Sequence, residues 1–423
     1  MNADTRCVLM VGGSHSVHVK IPARMIRQAG YRVVLGDLQA VPAADAAETF
    51  DAVYPLHGHL QRLLLKLRGH RSATASASHD EEKAGQSIPI ERPTRATSYL
   101  WRLARGWLQS GRLLAAVRCE HPGLVYFQSM TAGSMTAYYL LHRLGWPSQW
   151  SRPGLLTHLW GYQPRFAGIR RREICALREF DHIHTSSPAM ARIYRENYEV
   201  PAEQIDVFVR GINLQTFAPR DASVLDAARA QWKVPADKFV IIHNRHLHPM
   251  YRVDIAVDAF IELARRKHDV FLMLVRGGMC QADYERALLG KLQAAGLGGR
   301  VALMPPVLTA EQMAVALQLS HCCVNCVPFD AFPVSILEAM YCRSVPVVRD
   351  LESYSQFVKP GQTAFAVGSH VDQYVGRIEQ LILQPALRRQ LTDAGVALVT
   401  EQGSEEIFRR NTLNLIERCW HEW

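Results

Sequence analysis

The segment CVLMVGGSHSVHVKIPARMIRQAGYRVVLGD, residues 7–37, has the pattern of a strand, a helix and a second strand. The first apolar run ends in Gly12 and Gly13, a helical pattern follows and stops at Gly30, and YRVVLGD begins the second strand. Elements in this order predict a βαβ unit, which builds a parallel sheet with helices on its faces. The segment therefore predicts an α/β fold.

The same alternation begins again at Lys238, with strand FVIIHN, helix VDIAVDAFIELARRK and strand VFLMLVRGG, and it continues as far as VPVVRD. Between the two halves, residues 206–219 lose the periodicity and end in a proline. We therefore predict two Rossmann-like, doubly wound domains, residues 1–219 and 220–400, that face a central cleft at the carboxyl ends of both sheets. Residues 401–423 are predicted to be a helix that could cross back to the first domain.

The composition is typical of a folded, globular protein. The chain has 423 residues, of which 48% are hydrophobic and 21% charged, so it can form two or three cores and is not a disordered chain. It contains no run of the roughly 20 apolar residues that a membrane-spanning helix needs, and its first apolar run predicts a buried strand rather than a signal peptide. Nine scattered cysteines favour a reducing compartment over a disulfide framework. We expect a cytoplasmic protein.

Positive charge is concentrated in one part of the chain. The net charge is +9, and residues 61–118 carry eleven Lys or Arg against four Asp or Glu. This part includes a small, polar insertion, residues 70–98, that we expect to be mobile. The segment Ser98–Arg118 has a basic side and an apolar side at helical spacing. One interpretation is peripheral contact with the anionic inner face of the cell membrane. The other is that the apolar side packs on the first sheet. No recognition motif accompanies the charge, so no nucleic-acid partner is expected.

The segment PFDAFPVSILEAMYCRSVP, residues 328–346, places an acid on each side of a helix start. Asp330 lies in the loop after a predicted strand, and Glu338 lies about a turn inside the next helix. The free backbone N–H groups between them favour a phosphate. A diphosphate bound there would lie between two carboxylates that accept hydrogen bonds from hydroxyls, which is the layout of a nucleotide sugar. The alternative from the residues alone is a helix cap at Asp330 and a surface acid at Glu338.

The run D-x-F-P-V-S-x-L-E-A-M-x-C-x-x-x-P-V-V, from Asp330 to Val348, resembles the acid-x7-acid signature of glycosyltransferase family 4, also called glycosyltransferase group 1. Three further segments match in the expected order. GGSHSVHV resembles the opening turn of the family, VRGINLQTFAP (Val209–Pro219) its interdomain element, and NRHLHPMYRVD (Asn244–Asp254) its phosphate-binding loop. The resemblance implies a GT-B fold and a hexosyltransferase that moves a sugar from a nucleotide-diphosphate sugar to an acceptor hydroxyl with retained anomeric configuration.

The resemblance also implies roles for individual residues. Arg245 would contact the donor diphosphate, a task that suits a permanently charged guanidinium. Tyr251 stands where many members have a lysine, so Arg252 is the candidate for a second positive charge. Asp330 would orient hydroxyls of the donor sugar, and Glu338 would hold the nucleotide ribose. Arg245, Asp330 and Glu338 are thus the implied catalytic residues, and the donor site would also include Gly12, Gly13, Phe332, Pro333, Val334 and Ser335.

The acceptor expected from the resemblance is a glycan or a lipid-linked hydroxyl, in cell-surface polysaccharide or glycolipid assembly. No metal ion and no cofactor are expected. The sequence departs from the family pattern on the acceptor-facing half and at the rim of the acidic motif, so the alternative is a catalytically weakened relative that binds a nucleotide sugar or a glycan. The departures are Gln128, Gln163, Arg343, Gln356 and Ala364.

Several cysteines and histidines lie at spacings that resemble metal sites. Cys323 and Cys326 form a CxxC pair, but they lie in an apolar strand pattern with no second pair, so buried thiols are predicted. His243, His246 and His248 crowd one loop, where phosphate contact or helix capping is expected. These patterns therefore predict no metal site.

Overall fold

The computed structural model of the protein describes residues 6–39, 43–56, 109–128, 154–159, 175–332 and 334–420. Its contacts divide the chain into two compact units. The first unit comprises Met1–Ser186, Met190–Phe208 and Arg409–Trp423, and the second comprises Ser187–Ala189 and Val209–Phe408. Each unit is described below by itself.

The first unit is built on a parallel sheet. Its described strands are β1 (Cys7–Gly12), β2 (Arg32–Asp37), β3 (Ala52–Pro55), β4 (Leu124–Gln128), β5 (Gly154–Leu159), β6 (His182–Thr185) and β7 (Ile205–Val207). They lie in the order β3-β2-β1-β4-β5-β6-β7, and all neighbours are parallel. β1 and β4 are buried along their whole length, as strands covered on both faces must be.

Helices cover this first sheet. They are α1 (Val17–Gln28), α2 (Ala46–Thr49), a helix over residues 109–120 that we call α3, and α4 (Pro188–Tyr198). α1 begins after Ser16, whose side chain accepts a hydrogen bond from the His18 backbone N–H, a typical N-terminal cap. Apolar side chains of α1, such as Val19 and Ile26, pack in one core with Val8 and Tyr126 of the strands.

The second unit repeats the architecture. Its strands are β8 (Phe239–His243), β9 (Val270–Leu274), β10 (Val301–Leu303), β11 (Cys322–Asn325), β12 (Val345–Arg349) and β13 (Phe365–Val367). Their order is β10-β9-β8-β11-β12-β13, again with parallel neighbours. The helices are α5 (Ala222–Trp232), α6 (Val253–Arg265), α7 (Ala282–Ala294), α8 (Ala310–Gln318), α9 (Val334–Tyr341), α10 (Val371–Leu383) and α11 (Pro385–Gln402). The predicted α/β fold with two parallel sheets is confirmed.

The unit boundary lies at Phe208 and Val209 rather than after Pro219. The reason is burial, because Val209, Ile212 and Phe217 pack in the core of the second unit. The backbone there lies so close to Ser404 that a Cβ on Gly211 would be 2.0 Å from the Ser404 carbonyl oxygen. Glycine is therefore required at this position.

The last helix, α12 (Glu405–Cys419), begins in the second unit. From Arg409 on, the chain belongs to the first unit, where Leu415, Ile416 and Cys419 are buried in the core. The predicted C-terminal segment, 401–423, differs in its bounds because α11 continues to Gln402.

Part of the basic segment Ser98–Arg118 lies outside the described residues, as does the insertion 70–98. In the part that is described, Gln109 is buried, and the Arg112 guanidinium donates to the Pro55 carbonyl oxygen at 3.0 Å. Leu113, Ala116 and Val117 are buried as well. Contact of this segment with a membrane stays a prediction from the sequence. Within the described ranges, no helix is long and apolar enough to cross a bilayer.

Candidate functional site

Two loops of the second unit meet at the carboxyl ends of β8 and β11. These strands are parallel neighbours, with Cys322 opposite Ile241 and Cys323 opposite Ile242. Loops that leave the same ends of adjacent parallel strands lie side by side, and this is where doubly wound folds bind ligands. The loop after β8 carries Arg245, and the loop after β11 carries Asp330 before α9 begins.

Arg245 is the centre of the site. Its Nη1 donates to Asp330 Oδ2 and to Ser335 Oγ, at 3.3 Å each. The guanidinium carbon lies 4.6 Å from the centre of the Tyr251 ring, within the range of a cation–π contact. Asn244, one residue earlier, donates from Nδ2 to the Ser335 carbonyl oxygen at 3.1 Å. The loop after β8 is thus fastened to the first turn of α9.

Asp330 is held from three sides. Ser353 Oγ donates to its carbonyl oxygen at 2.6 Å, and the Tyr354 hydroxyl donates to its carboxylate at 3.4 Å. Burial raises the pKa of the Asp330 carboxyl, and the charge of Arg245 opposes that rise. The carboxylate is therefore fixed in direction and charge-paired, rather than a helix cap free in solvent.

Glu338 lies one turn into α9 and is half-buried. Burial raises its pKa to about 7, although the nearby charges of Arg210 and Arg245 favour the ionised form. Among the described residues, none donates a hydrogen bond to its carboxylate. This environment is unlike that of the surface acid in the alternative reading of the motif.

Arg210 is a residue of the site that sequence reasoning missed. Arg210 is half-buried. Desolvation lowers the pKa of its guanidinium, and the nearby charges of Glu338 and Glu405 oppose that fall. Arg210 lies in the VRGIN segment that resembles a family element, but the residue itself drew no assignment there. The signal that could have found it is a lone arginine in an apolar segment, FVRGI, since a buried arginine needs an acidic partner.

Tyr251 and Arg252 contact different partners in the described structure. Tyr251 is buried and stacks on Arg245, so it positions the existing charge. Arg252 adopts a left-handed conformation, with φ of 49°, and its guanidinium donates from Nε and Nη2 to the Asp254 carboxylate at 3.1–3.3 Å. The structure therefore pairs Arg252 with Asp254, and contact of Arg252 with the donor diphosphate stays a prediction.

The other predicted donor residues fall into three groups. Val334 and Ser335 form the first turn of α9 and are half-buried. Phe332 is buried and packs edge-on against Tyr354, with ring centres 6.1 Å apart, so the described contacts assign it to the core. Pro333 lies outside the described residues.

Gly12 and Gly13 belong to the first unit. A Cβ on Gly12 would lie 2.7 Å from the Val19 side chain, so the packing of α1 on β1 already requires glycine there. A Cβ on Gly13 would meet only the end of the flexible Gln39 side chain. Their predicted role in ligand approach is separate from these packing reasons.

The departures from the family pattern have distinct surroundings. Gln128 is buried at the end of β4, and Ala364 is buried in the second core. Arg343 is exposed, with φ of 63°, a backbone region that favours glycine. Gln356 is half-buried, and Gln163 lies outside the described residues.

The CxxC pair behaves as predicted. Cys323 and Cys326 are buried in and just after β11. Burial raises the pKa of both thiols to about 12, so they stay protonated at neutral pH and are poor metal ligands. The prediction of buried thiols is confirmed.

Comparison with known proteins identifies the family. The family model described as glycosyl transferases group 1 matches residues 225–397, and that described as glycosyltransferase family 4 matches residues 52–216. The chain belongs to the group 1 glycosyltransferases, family 4. Both units are matched, and the matched region of the second unit contains Arg245, Asp330 and Glu338.

The curated relatives of this chain include a D-inositol 3-phosphate glycosyltransferase of Arthrobacter sp. (strain FB24), 27% identical over 223 residues. The match covers 52% of each protein, so the chain spans about half the length of the curated relatives that it matches.

Solved structures show the same fold. A glycosyltransferase from Rickettsia africae has a TM-score of 0.71 at 13% identity, covering 98% of this chain and 99% of that one. Anabaena HepE, solved in complex with UDP, has a TM-score of 0.72 at 14% identity, with 98% and 100% covered. The chain therefore has the GT-B fold.

Proposed function

We propose that this glycosyltransferase moves a hexose from a nucleotide-diphosphate sugar to an acceptor hydroxyl with retention of the anomeric configuration. The observation that carries the proposal is the position of the Arg245 guanidinium, 3.3 Å from both Asp330 Oδ2 and Ser335 Oγ. A permanent positive charge, a fixed carboxylate and the start of a helix are thus brought to one point. Family membership and the HepE complex with UDP support the same ligand class.

The diphosphate of the donor would bind between Arg245 and the first turn of α9. Guanidinium groups and the unpaired N–H groups of a helix start both favour phosphate oxygens. When the bond between sugar and diphosphate breaks, negative charge grows on the departing diphosphate. Arg245 and the helix start stabilise that charge directly, and no metal ion is required for this part of the reaction.

The two acids would hold the donor at its ends. Asp330 would accept hydrogen bonds from hydroxyls of the sugar, and its role is to orient rather than to attack. Glu338 would accept hydrogen bonds from the nucleotide ribose, and Arg210 beside it favours the ionised carboxylate that accepts them. Fixed positions at both ends place the anomeric carbon for transfer.

The acceptor class rests on the resemblance and on a relative's name. The Arthrobacter relative is named for an acceptor that carries ring hydroxyls and a phosphate, which supports a hydroxyl-bearing acceptor here. We propose a glycan or lipid-linked hydroxyl in cell-surface polysaccharide or glycolipid assembly.

Calorimetric titration with UDP-, GDP- and ADP-sugars tests the donor site. We expect one donor class to bind the wild type, and Arg245→Gln to weaken that binding by at least about ten-fold, since a charge-assisted hydrogen bond is worth about 1.5–3 kcal/mol. Arg265→Gln is the matched control, because Arg265 lies on the exposed face of α6 with 74% of its side chain accessible. Equal binding by both variants would refute the assignment of Arg245.

Turnover separates an enzyme from a weakened relative. Slow donor hydrolysis, followed by proton NMR, reports the anomer released first, and retention is expected. Asp330→Asn should abolish it while circular dichroism and the melting temperature stay near those of the wild type. Donor binding without any turnover in the wild type would favour the binding-only alternative.

A further inference from the structure

A cavity of the second unit lies at the opposite edge of the sheet from Arg245. Its volume is about 260 Å³. His321 comes directly before β11, and Arg343 comes just before β12, so both lie at the amino ends of parallel strands. The strands have four or five residues, and at about 3.3 Å per residue the two edges are roughly 15 Å apart. The cavity is therefore distinct from the donor site.

Four arginines line this cavity: Arg229, Arg343, Arg388 and Arg389. Arg343 pairs with Asp393 at 2.5 Å. For the other three, the described part of the chain provides no carboxylate within ion-pair distance. Arg229 and Arg388 each donate from Nη1 to a backbone carbonyl oxygen at 3.1 Å, and such contacts fix a guanidinium without neutralising it.

Aromatic packing holds one side of the cavity in place. The guanidinium carbon of Arg388 lies 5.4 Å from the centre of the Phe239 ring, and the His321 ring stacks on the same phenyl ring at 4.8 Å. His321 Nδ1 accepts a hydrogen bond from the Val240 N–H at 2.9 Å, so the proton of the neutral ring is on Nε2, which is a donor. Burial, with the charges of Arg388 and Arg229, lowers the pKa of His321 to about 4. The cavity is thus rich in donors and positive charge.

The size of the cavity limits its occupant. Sites for drug-sized ligands measure about 300–1,000 Å³, so this cavity suits a compact group. Guanidinium groups match the oxygens of phosphates in geometry and charge. We propose that this cavity binds a phosphate-bearing anion, as a phosphate monoester or a diphosphate group. The proposal is independent of the proposed transfer reaction.

Calorimetric titration of the full chain with inorganic diphosphate tests the cavity. Because the donor site also suits a diphosphate, the titration is made in an Arg245→Gln background. We expect saturable binding, weakened at least about ten-fold by Arg229→Gln with Arg389→Gln, since two charged donors are lost. Arg265→Gln with Arg286→Gln is the control with the same change in net charge, on side chains that are 74% and 75% exposed, and it should bind within two-fold of the background.

Arg389→Gln alone guards against a folding defect. Arg389 is exposed, so this variant should keep the melting temperature of its background and still weaken binding about three-fold or more. The diphosphate result is negative if the Arg245→Gln protein binds no diphosphate, or if the cavity variants bind it as well as the control variant. The proposal is overturned if the vesicle test below is also negative.

Vesicles distinguish the source of the phosphate. Sedimentation is compared for vesicles of phosphatidylcholine alone and for vesicles that also contain phosphatidic acid, whose headgroup is a phosphate monoester. Binding to phosphatidic acid that the cavity variants lose and the control variant keeps indicates a membrane headgroup. Diphosphate binding without vesicle binding indicates a free phosphate compound. If neither ligand distinguishes the cavity variants from the control, the cavity is not an anion site.

Discussion

Replacing Glu338 with glutamine should stabilise the unliganded protein, and more strongly at pH 8 than at pH 5. Burial raises the pKa of Glu338 from 4.5 to about 7. Between these values the folded chain binds more protons than the unfolded chain, so the free energy of unfolding of the wild type falls as pH rises through this window. The Glu338→Gln variant has no titrating proton at this position, so its free energy of unfolding does not include this pH-dependent decrease.

The size of the effect follows from the two pKa values. Their difference, at about 1.4 kcal/mol per pKa unit, corresponds to about 3 kcal/mol when the pH is above both. At pH 5 the wild type has already lost about 1 kcal/mol of this stability. Between pH 5 and pH 8 its free energy of unfolding should therefore fall by roughly a further 2–3 kcal/mol. For a unit of about 200 residues, that is roughly 5–10 °C in melting temperature.

Thermal unfolding followed by circular dichroism measures this difference. The wild type, Glu338→Gln and the control Glu401→Gln are compared at pH 5 and pH 8, with Glu401 chosen because it is exposed near the end of α11. We expect the advantage of Glu338→Gln over the wild type to grow with pH and the control to follow the wild type. An equal advantage at both pH values, or a larger one at pH 5, would refute the reasoning. The same variant should bind the donor less tightly, because the amide replaces an acceptor of ribose hydrogen bonds.

Three other substitutions test separate contacts. Tyr251→Ala should weaken donor binding about 3- to 30-fold in calorimetry, because the ring stacks on Arg245 and such contacts are worth about 0.5–2 kcal/mol. The control Tyr251→Phe keeps the ring and should bind the donor within two-fold of the wild type. If Tyr251→Phe loses as much affinity as Tyr251→Ala, the stacking contact is not the cause. Gly211→Ala should lower the free energy of unfolding in urea by about 1–3 kcal/mol, because its Cβ would meet the Ser404 carbonyl. Gly299→Ala is the control and should lower it far less, because the space around Gly299 is open. Equal losses would show that the close approach to Ser404 is not the cause. Arg343→Gly should raise the free energy of unfolding by about 1 kcal/mol, because the left-handed backbone at this residue disfavours a side chain. The exposed ion pair with Asp393, which is lost, contributes little. A fall in the urea midpoint would show that the ion pair contributes more than the backbone strain.

The sheets could be predicted from the sequence because each strand is a short apolar run between helical patterns. FVIIHN and VFLMLVRGG became β8 and β9, both buried along their length. The unit boundary could not be placed as well, because Val209, Ile212 and Phe217 are buried in a segment without helix or strand periodicity. Burial of irregular backbone leaves no periodic signal.

The central pair of the site could also be predicted. Arg245 and Asp330 follow adjacent strands, and their meeting is a consequence of sheet order. Three other residues of the site could not be predicted, because each interacts with Asp330 or Glu338 through a single side chain from a distant segment. They are Arg210, Ser353 and Tyr354. Arg252 was assigned because it follows Tyr251, which stands where many family members have a lysine, and its pairing with the adjacent acid Asp254 was not predicted.

The contact between Arg245 and Asp330 pairs one positive and one negative charge at the centre of the candidate site. An incoming anion must displace a counterion that is tethered to the same chain and therefore always at hand. At the proposed donor site, this competition would lower the affinity for every anion, including a diphosphate left behind after a reaction, and would speed the departure of that anion. A site with such an internal competitor is suited to rapid exchange of its occupants rather than to their storage.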